Sequence, residues 1–241
     1  MSQTPPLTQS TPYTLFYVPD SANLVVRIAL EELGASFSAL LVEGAGAASR
    51  DAAFLALNPQ GLVPVLVDSR QDEPLFETAA ILLHLSEQHQ ALQPAYARSR
   101  GRYLKWLFFL SNTLHADLRG LFYSDRYVAD VAAIPALRRG LGSRVVRHFT
   151  LLDAEMARHG GPWLLGETLT TCDIYLAVCA RWAQLYPRGD GLAHDVFANL
   201  PRVHHMLKTL EQRPAVLRAC EQEGIAGRAF TVPQYPVRQA P

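Results

Sequence analysis

The residues best equipped for chemistry gather in one stretch, Asn58-Pro59-Gln60-Gly61-Leu62-Val63-Pro64-Val65-Leu66-Val67, followed closely by Phe76-Glu77-Thr78-Ala79-Ala80-Ile81. Asn-Pro and Gln-Gly are turn dipeptides: Pro59 fixes its own φ, and Gly61 takes a positive φ without a steric clash. Pro64 enters an apolar run and cannot donate to a sheet ladder, which places it at a strand's first residue or on an edge. A cis bond before Pro64 turns the N–H and C=O of Val63 outward, where two free main-chain groups can grip an extended peptide in antiparallel fashion. Glu77-Thr78 opens a predicted helix, with Ala80, Ile81, His84 and Leu85 at helical spacing. The free N–H groups of that helix start and the Thr78 hydroxyl suit a carboxylate, and Glu77 suits an ammonium. Together these groups fit a small zwitterionic peptide. The same residues also read as a β-hairpin leading into a capped helix, with no ligand.

Other chemistries have little support. Cys172, Cys179 and Cys220 are too scattered for a disulfide framework or a zinc site and read as buried small hydrophobes. The eight histidines contain no His-Glu-x-x-His pairing. His204-His205 read as helix surface, so no metal is expected. Gly44-Ala45-Gly46 lacks the Lys-Ser/Thr that completes a phosphate loop. Lys+Arg and Asp+Glu stand at 22 each, which leaves no electrostatic footprint for nucleic acid or an anionic membrane. No apolar run is long enough to span a bilayer, and residues 1–12 are unlike a secretory signal, so a cytoplasmic setting is expected.

The elements that must position these residues follow from period and punctuation. Tyr13–Val18 reads as a strand, Asn23–Leu33 as a helix closed by Gly34, and Phe37–Val42 as a second strand. Such a run implies a parallel pair with a right-handed crossover. Pro19-Asp20-Ser21 is a turn with helix-capping character. Asp51–Leu57 is a short helix, residues 68–73 a polar hairpin, and Leu75-Phe76 a short strand. The order β-α-β-α-β-β-α over residues 13–90 is thioredoxin-like and follows a flexible tail at 1–12. After a linker at 91–97, residues 98–225 read as all-helical. The fold class is therefore α/β plus all-α, a thioredoxin-like domain followed by a helical bundle. A helix over Arg100–Phe122 carries Tyr103, Trp106, Leu107, Leu110 and Leu114 on one stripe. Pro135–His159 is another, and residues 200–212 and 214–222 give two shorter ones before a C-terminal tail at 226–241. Thr170 and Asp173 form a capping box, with Leu169 and Ile174 as its hydrophobic staple.

The pattern Asn-Pro-x-Gly-x-Val-Pro-x-Leu, followed by Phe-Glu-Thr-x-Ala-Ile, resembles the glutathione site of the cytosolic glutathione S-transferase superfamily. Trp163–Glu167 with Thr170-x-x-Asp173-Ile174, and Arg213-Pro214-Ala215-Val216, resemble the C-terminal domains of those proteins, so the likeness runs over residues 13–225. It lies nearest to bacterial beta-class enzymes, including His115 on the first long helix. The resemblance implies glutathione as co-substrate, no metal, and a symmetric homodimer. It assigns Val63 to the cysteinyl backbone of glutathione and Glu77 and Thr78 to its γ-glutamyl end, with Leu62 and Pro64 beside them. It also implies detoxifying transfer of glutathione to a small hydrophobic electrophile. A glutathione-dependent disulfide reductase or peroxidase, and a non-catalytic partner-binding module, are the alternatives on the same fold.

Such chemistry needs the thiol as thiolate, because the thiolate is the nucleophile. Lowering a thiol pKa from about 8.5 by two units takes roughly 2.7 kcal/mol, within reach of one charge-assisted hydrogen bond plus a helix dipole. The turn from Tyr17 to Asn23 is the expected place. Beta-class enzymes carry a cysteine where this chain has Ala22, so a mixed disulfide with glutathione cannot form there. Ser21 is the best hydroxyl donor, Asn23 a second donor and Tyr17 a third candidate; Ser21 also reads simply as a helix N-cap. The electrophile pocket is expected between the domains, with Tyr103, Trp106, Leu110, His115 and Tyr123 on its helical wall. His115 can polarise a substrate, contact glutathione across a dimer, or only pack.

Overall fold

The structure is a computed structural model of the chain, and it describes residues 11–43, 51–189, 191–192 and 194–237. Gly44–Gly46, residues 1–10 of the N-terminal tail and residues 238–241 of the C-terminal tail lie outside the described residues.

Alternation builds the first strand, β1 (Tyr13–Tyr17): Tyr13 and Leu15 are buried on one face, while Phe16 meets Phe54 at 5.8 Å on the other. It is followed by α1 (Asn23–Glu32), β2 (Phe37–Leu41), α2 (Ala52–Leu57), β3 (Val65–Asp68), β4 (Leu75–Phe76) and α3 (Thr78–His89). The sheet order is β2-β1-β3-β4, with β1 and β2 parallel and the other pairs antiparallel. Tyr13, Leu15, Val26, Leu30, Leu66, Ile81 and Leu85 form a core between the sheet, α1 and α3. On α3 the inward stripe is Ala79, Ile81, Leu82 and Leu85; Ala80, expected on it, is exposed. The registers Phe16↔Val65 and Val65↔Phe76 bring the end of β1, the approach to β3 and the start of α3 to one end of the sheet. The thioredoxin-like domain expected from the sequence is present.

The rest of the chain is mostly helical: α4 (Arg100–Phe109), α5 (Ala116–Phe122), α6 (Ile134–His159), α7 (Thr171–Leu185), α8 (His194–Ala198), α9 (Pro201–Leu210) and α10 (Pro214–Gln222). The continuous helix predicted over 100–122 is interrupted, because Leu110–His115 form a π-helical segment between α4 and α5. Wider turns of this kind shift the helical register and re-aim the side chains that follow. Every residue of α7 is buried, making it the central rod of the larger core. Its start is held by Asp173, whose carboxylate accepts from the Thr170 N–H at 2.8 Å, the Thr170 hydroxyl at 2.9 Å and the Leu164 N–H at 2.7 Å. The helix α10 packs along α1 and so ties the C-terminal region to the thioredoxin-like domain. No helix among the described residues is long and apolar enough to cross a membrane.

Candidate active site

Three segments meet at the sheet end defined by Phe16, Val65 and Phe76. The first is the turn before β3. Asn58, buried, holds it from within: its Nδ2 donates to the Leu62 carbonyl at 2.9 Å and its Oδ1 accepts from the Gln60 N–H at 3.0 Å. Gly61, at φ +67°, closes the turn by donating to the Asn58 carbonyl at 2.9 Å. The Val63–Pro64 bond is cis, and the N–H and C=O of Val63 have no hydrogen-bond partner among the described residues.

The second segment is the start of α3. Glu77, exposed and at φ +73°, is its N-cap residue but makes no side-chain cap. The Ile81 N–H donates to the Glu77 carbonyl at 3.0 Å, so the amides of Thr78, Ala79 and Ala80 precede the first helical bond. Thr78 is buried at their head, and Gln60 Nε2 reaches Glu77 Oε1 at 3.5 Å across from the first turn. An anion is favoured over these amides and a cation beside Glu77.

The third segment, residues 18–22 between β1 and α1, departs from expectation. Asn23 is fully buried: its Oδ1 accepts from the Val18 N–H at 3.0 Å and its Nδ2 donates to Glu223 Oε1 at 2.8 Å. It braces the turn from below and is not a free donor. The ring of Tyr17 lies under the Arg27 guanidinium at 4.4 Å, on the strand face it shares with Tyr13 and Leu15, so it is committed to packing against α1. Ser21 is half-buried, and its hydroxyl has no partner among the described residues; the N-cap of α1 is Ala22, without any side-chain cap. The capping role expected for Ser21 is therefore absent, and its hydroxyl is the one left over.

Beneath this turn lies a set of charged groups that local patterns did not reveal. Asp20 is buried at φ +56°. Its carboxylate accepts from Arg181 Nε at 2.7 Å, Arg181 Nη2 at 2.9 Å and the Tyr186 hydroxyl at 3.1 Å. Its N–H donates to Glu223 Oε2 at 2.8 Å, and Arg27 Nε donates to Glu223 Oε1 at 2.9 Å. Burial pushes the Glu223 carboxyl up to about 7, against the opposing pull of Arg27. The one available signal was Arg181 itself, a charge amid the apolar run of α7 beyond its capping Asp173, since buried charges occur mainly as pairs.

On the helical side, three expected wall residues are core instead. Tyr103, Trp106 and Leu110 are buried. The Tyr103 hydroxyl meets Thr171 Oγ1 at 2.7 Å, and Trp106 Nε1 donates to Glu155 at 3.0 Å. Their stripe faces α7 and α6, which a helical period alone cannot distinguish from a pocket. Tyr123 is exposed, with Arg126 over its ring at 4.4 Å. His115, at the end of the π segment, has Nδ1 2.7 Å from the Tyr175 hydroxyl and its ring 5.0 Å from that of Trp182. Burial holds its imidazole down to about 4, with Arg119 contributing less.

All three cysteines are buried and free, and burial raises their thiols, that of Cys220 to about 12, which disfavours the thiolate form. No group of three His, Cys, Asp or Glu side chains among the described residues could hold a metal ion. Cavities of about 450 and 490 Å³ elsewhere on the surface are lined by neither Ser21, Val63, Glu77 nor Thr78.

The family model for the glutathione S-transferase N-terminal domain matches residues 11–87. The chain is 31% identical over 172 residues to glutathione S-transferase GST-4.5 of Xanthomonas campestris pv. campestris, covering 70% of this chain and 81% of that relative. It is 33% identical over 171 residues to glutathione S-transferase GstB of Escherichia coli strain K12, covering 68% and 79%. Among solved structures, a sphingomonad glutathione S-transferase complexed with glutathione is 30% identical, with a TM-score of 0.71 over 88% of this chain and 100% of that one.

Proposed function

This chain belongs to the glutathione S-transferase family, and from that premise we propose that it binds reduced glutathione and directs its thiolate to a small hydrophobic electrophile. The observation that carries the reading is the meeting, at one sheet end, of Val63's unpartnered main chain with the amides of the Glu77–Thr78 helix start. The cysteinyl backbone of glutathione docks antiparallel on Val63, beside Leu62 and Pro64. Its γ-glutamyl carboxylate sits on the Thr78 hydroxyl and the first amides of α3, and its ammonium on Glu77. The sulfur then faces the start of α1, where the Ser21 hydroxyl and the neighbouring amides favour the charged form.

The reaction follows from placement. The thiol proton passes to solvent, and the thiolate attacks an electrophilic carbon. A C–S bond forms and the displaced group departs with its bonding pair. No thiol of the enzyme takes part, since Ala22 stands where beta-class enzymes carry cysteine and this chain's own cysteines are buried. The sphingomonad relative holds glutathione, which supports this use of the fold. In this reading residues 13–90 carry glutathione, residues 98–225 supply the second-substrate wall that includes His115, and the protein works as a cytoplasmic homodimer.

Isothermal titration with reduced glutathione, followed by turnover assays, tests the reading. Binding together with conjugation of a chloronitrobenzene is the expected result. Turnover of hydroxyethyl disulfide alone moves the activity to disulfide reduction, with a second glutathione supplying the other thiol. Binding with neither turnover marks a binding module, and no heat at millimolar glutathione rejects the site.

A further inference from the structure

Among the described residues, the turn that carries Ser21 has few ties. Ser21 has no side-chain partner, Ala22 has none to offer, and α1 lacks a side-chain cap. Asn23 braces the turn from below, and its other anchor is Asp20, whose own partners come from the far end of the chain. Arg181 is fully buried, and its guanidinium makes four hydrogen bonds: the fork to Asp20 at 2.7 and 2.9 Å, one to the Ala229 carbonyl at 3.0 Å, and one to the Gln234 carbonyl at 2.7 Å. A guanidinium offers five N–H groups in a rigid plane, so this set nearly exhausts it and fixes its orientation. The C-terminal segment is tied down in turn. The Tyr235 hydroxyl donates to the Leu185 carbonyl, and the Tyr235 ring meets Tyr186 at 5.6 Å. Tyr186 itself donates to Asp20.

We propose that Arg181 is a positioning residue for the thiolate: clamped by the carbonyls of residues 229 and 234, it locks Asp20 and so sets the Ser21 hydroxyl and the adjacent amides in place. The idea rests on the glutathione reading above and deepens it. Asp20 stands at φ +56°, a conformation uncommon for a residue with a side chain, although Asp adopts it more readily than most. Arg181 and Glu223 hold Asp20 from opposite sides, through the carboxylate and through the N–H. The C-terminal segment thereby becomes part of the active-site scaffold, although no residue of it bears on the proposed reaction directly.

Three variants test this: Asp20→Asn, which keeps the shape; Arg181→Lys, which keeps the charge but loses the fork; and a chain ending at Val232. The last keeps Phe230 and Thr231 and loses the Gln234 carbonyl and Tyr235. Amide hydrogen exchange without ligand is expected to quicken over residues 19–24 in each variant and to stay unchanged over 78–81. With glutathione bound, the thiol pKa should move toward that of free glutathione. Activity should fall by about tenfold to a hundredfold, the scale of a small misplacement, in kcat rather than in KM for glutathione. Unchanged exchange over 19–24 in folded Asp20→Asn overturns the anchor whether or not glutathione binds. Faster exchange with an unchanged thiol pKa and kcat overturns the positioning role. Failure of the wild-type protein to bind glutathione overturns the functional reading instead, while the ligand-free exchange still decides the anchor.

Discussion

Around Val63, the groups offered to a ligand are main-chain atoms and a helix start, set in place by residues a few positions away: Asn58 and Gly61 shape the turn, and Gln60 reaches Glu77. Around Ser21, the supporting groups are buried charges whose partners lie 161 to 203 positions along the chain. On the proposed reading, the two halves of the site therefore divide their work. One half is shaped largely by its own turn and helix start, although Thr78 also hydrogen-bonds Tyr175 of α7. The other is a tertiary brace, in which the residue next to the chemistry is unremarkable and its position depends on distant ion pairs. Binding should follow the first half, and the state of the sulfur the second.

The sharpest way to break this division is Glu223→Ala. It leaves Arg27, Asn23 and the Asp20 N–H without their shared acceptor. Loss of one partner from a buried ionic set costs about 3–5 kcal/mol, and urea unfolding should show a loss of that size. Replacing exposed Glu77 by Ala should shift the same unfolding curve by less than about 0.5 kcal/mol. Next comes Thr78→Val, which removes a hydroxyl at the helix start. A hydrogen bond to a charged group is worth about 1.5–3 kcal/mol, so calorimetry should find glutathione binding weakened by roughly tenfold to a hundredfold, with the bound thiol's pKa unmoved.

Ser21→Ala should do the reverse. The bound thiol's pKa is expected to rise by about one unit, roughly 1.4 kcal/mol, with affinity within about twofold. An ultraviolet titration curve identical to that of the wild type would remove Ser21 from the mechanism. A separate effect, on stability rather than on the site, concerns His115. Burial lowers its pKa to about 4 from an ordinary 6.5, so between those values the unfolded chain holds a proton that the folded one does not. Stability present above pH 6.5 should thus decline as pH falls toward 4. Thermal midpoints of His115→Phe should be flatter over that window.

Particular residues show what could be read in advance. Gly61 and Pro64 announced themselves because a tight turn and a strand-entry proline are backbone features, written in residue type and short spacing. The strand–helix–strand start and the Thr170–Asp173 cap were legible for the same reason. Tyr103, Trp106 and Leu110 show the limit: their spacing gave a buried stripe, but whether a stripe meets a ligand or another helix depends on what packs against it, and here α6 and α7 do. The π segment at 110–115 left no period of its own in the sequence. Asn23 was read as facing the sulfur, although Glu223 holds it inward.

By itself the sequence determined the thioredoxin-like order, the helical remainder and the turn-and-helix pair at Val63 and Thr78, since each depends on dihedral preference and periodicity within a few residues. Only the tertiary structure decided which side chains stand at the start of α1 and what holds them there. A charge buried on α7 says that a partner exists, and only chain packing can say that the partner is Asp20 and that the last segment of the chain closes over both.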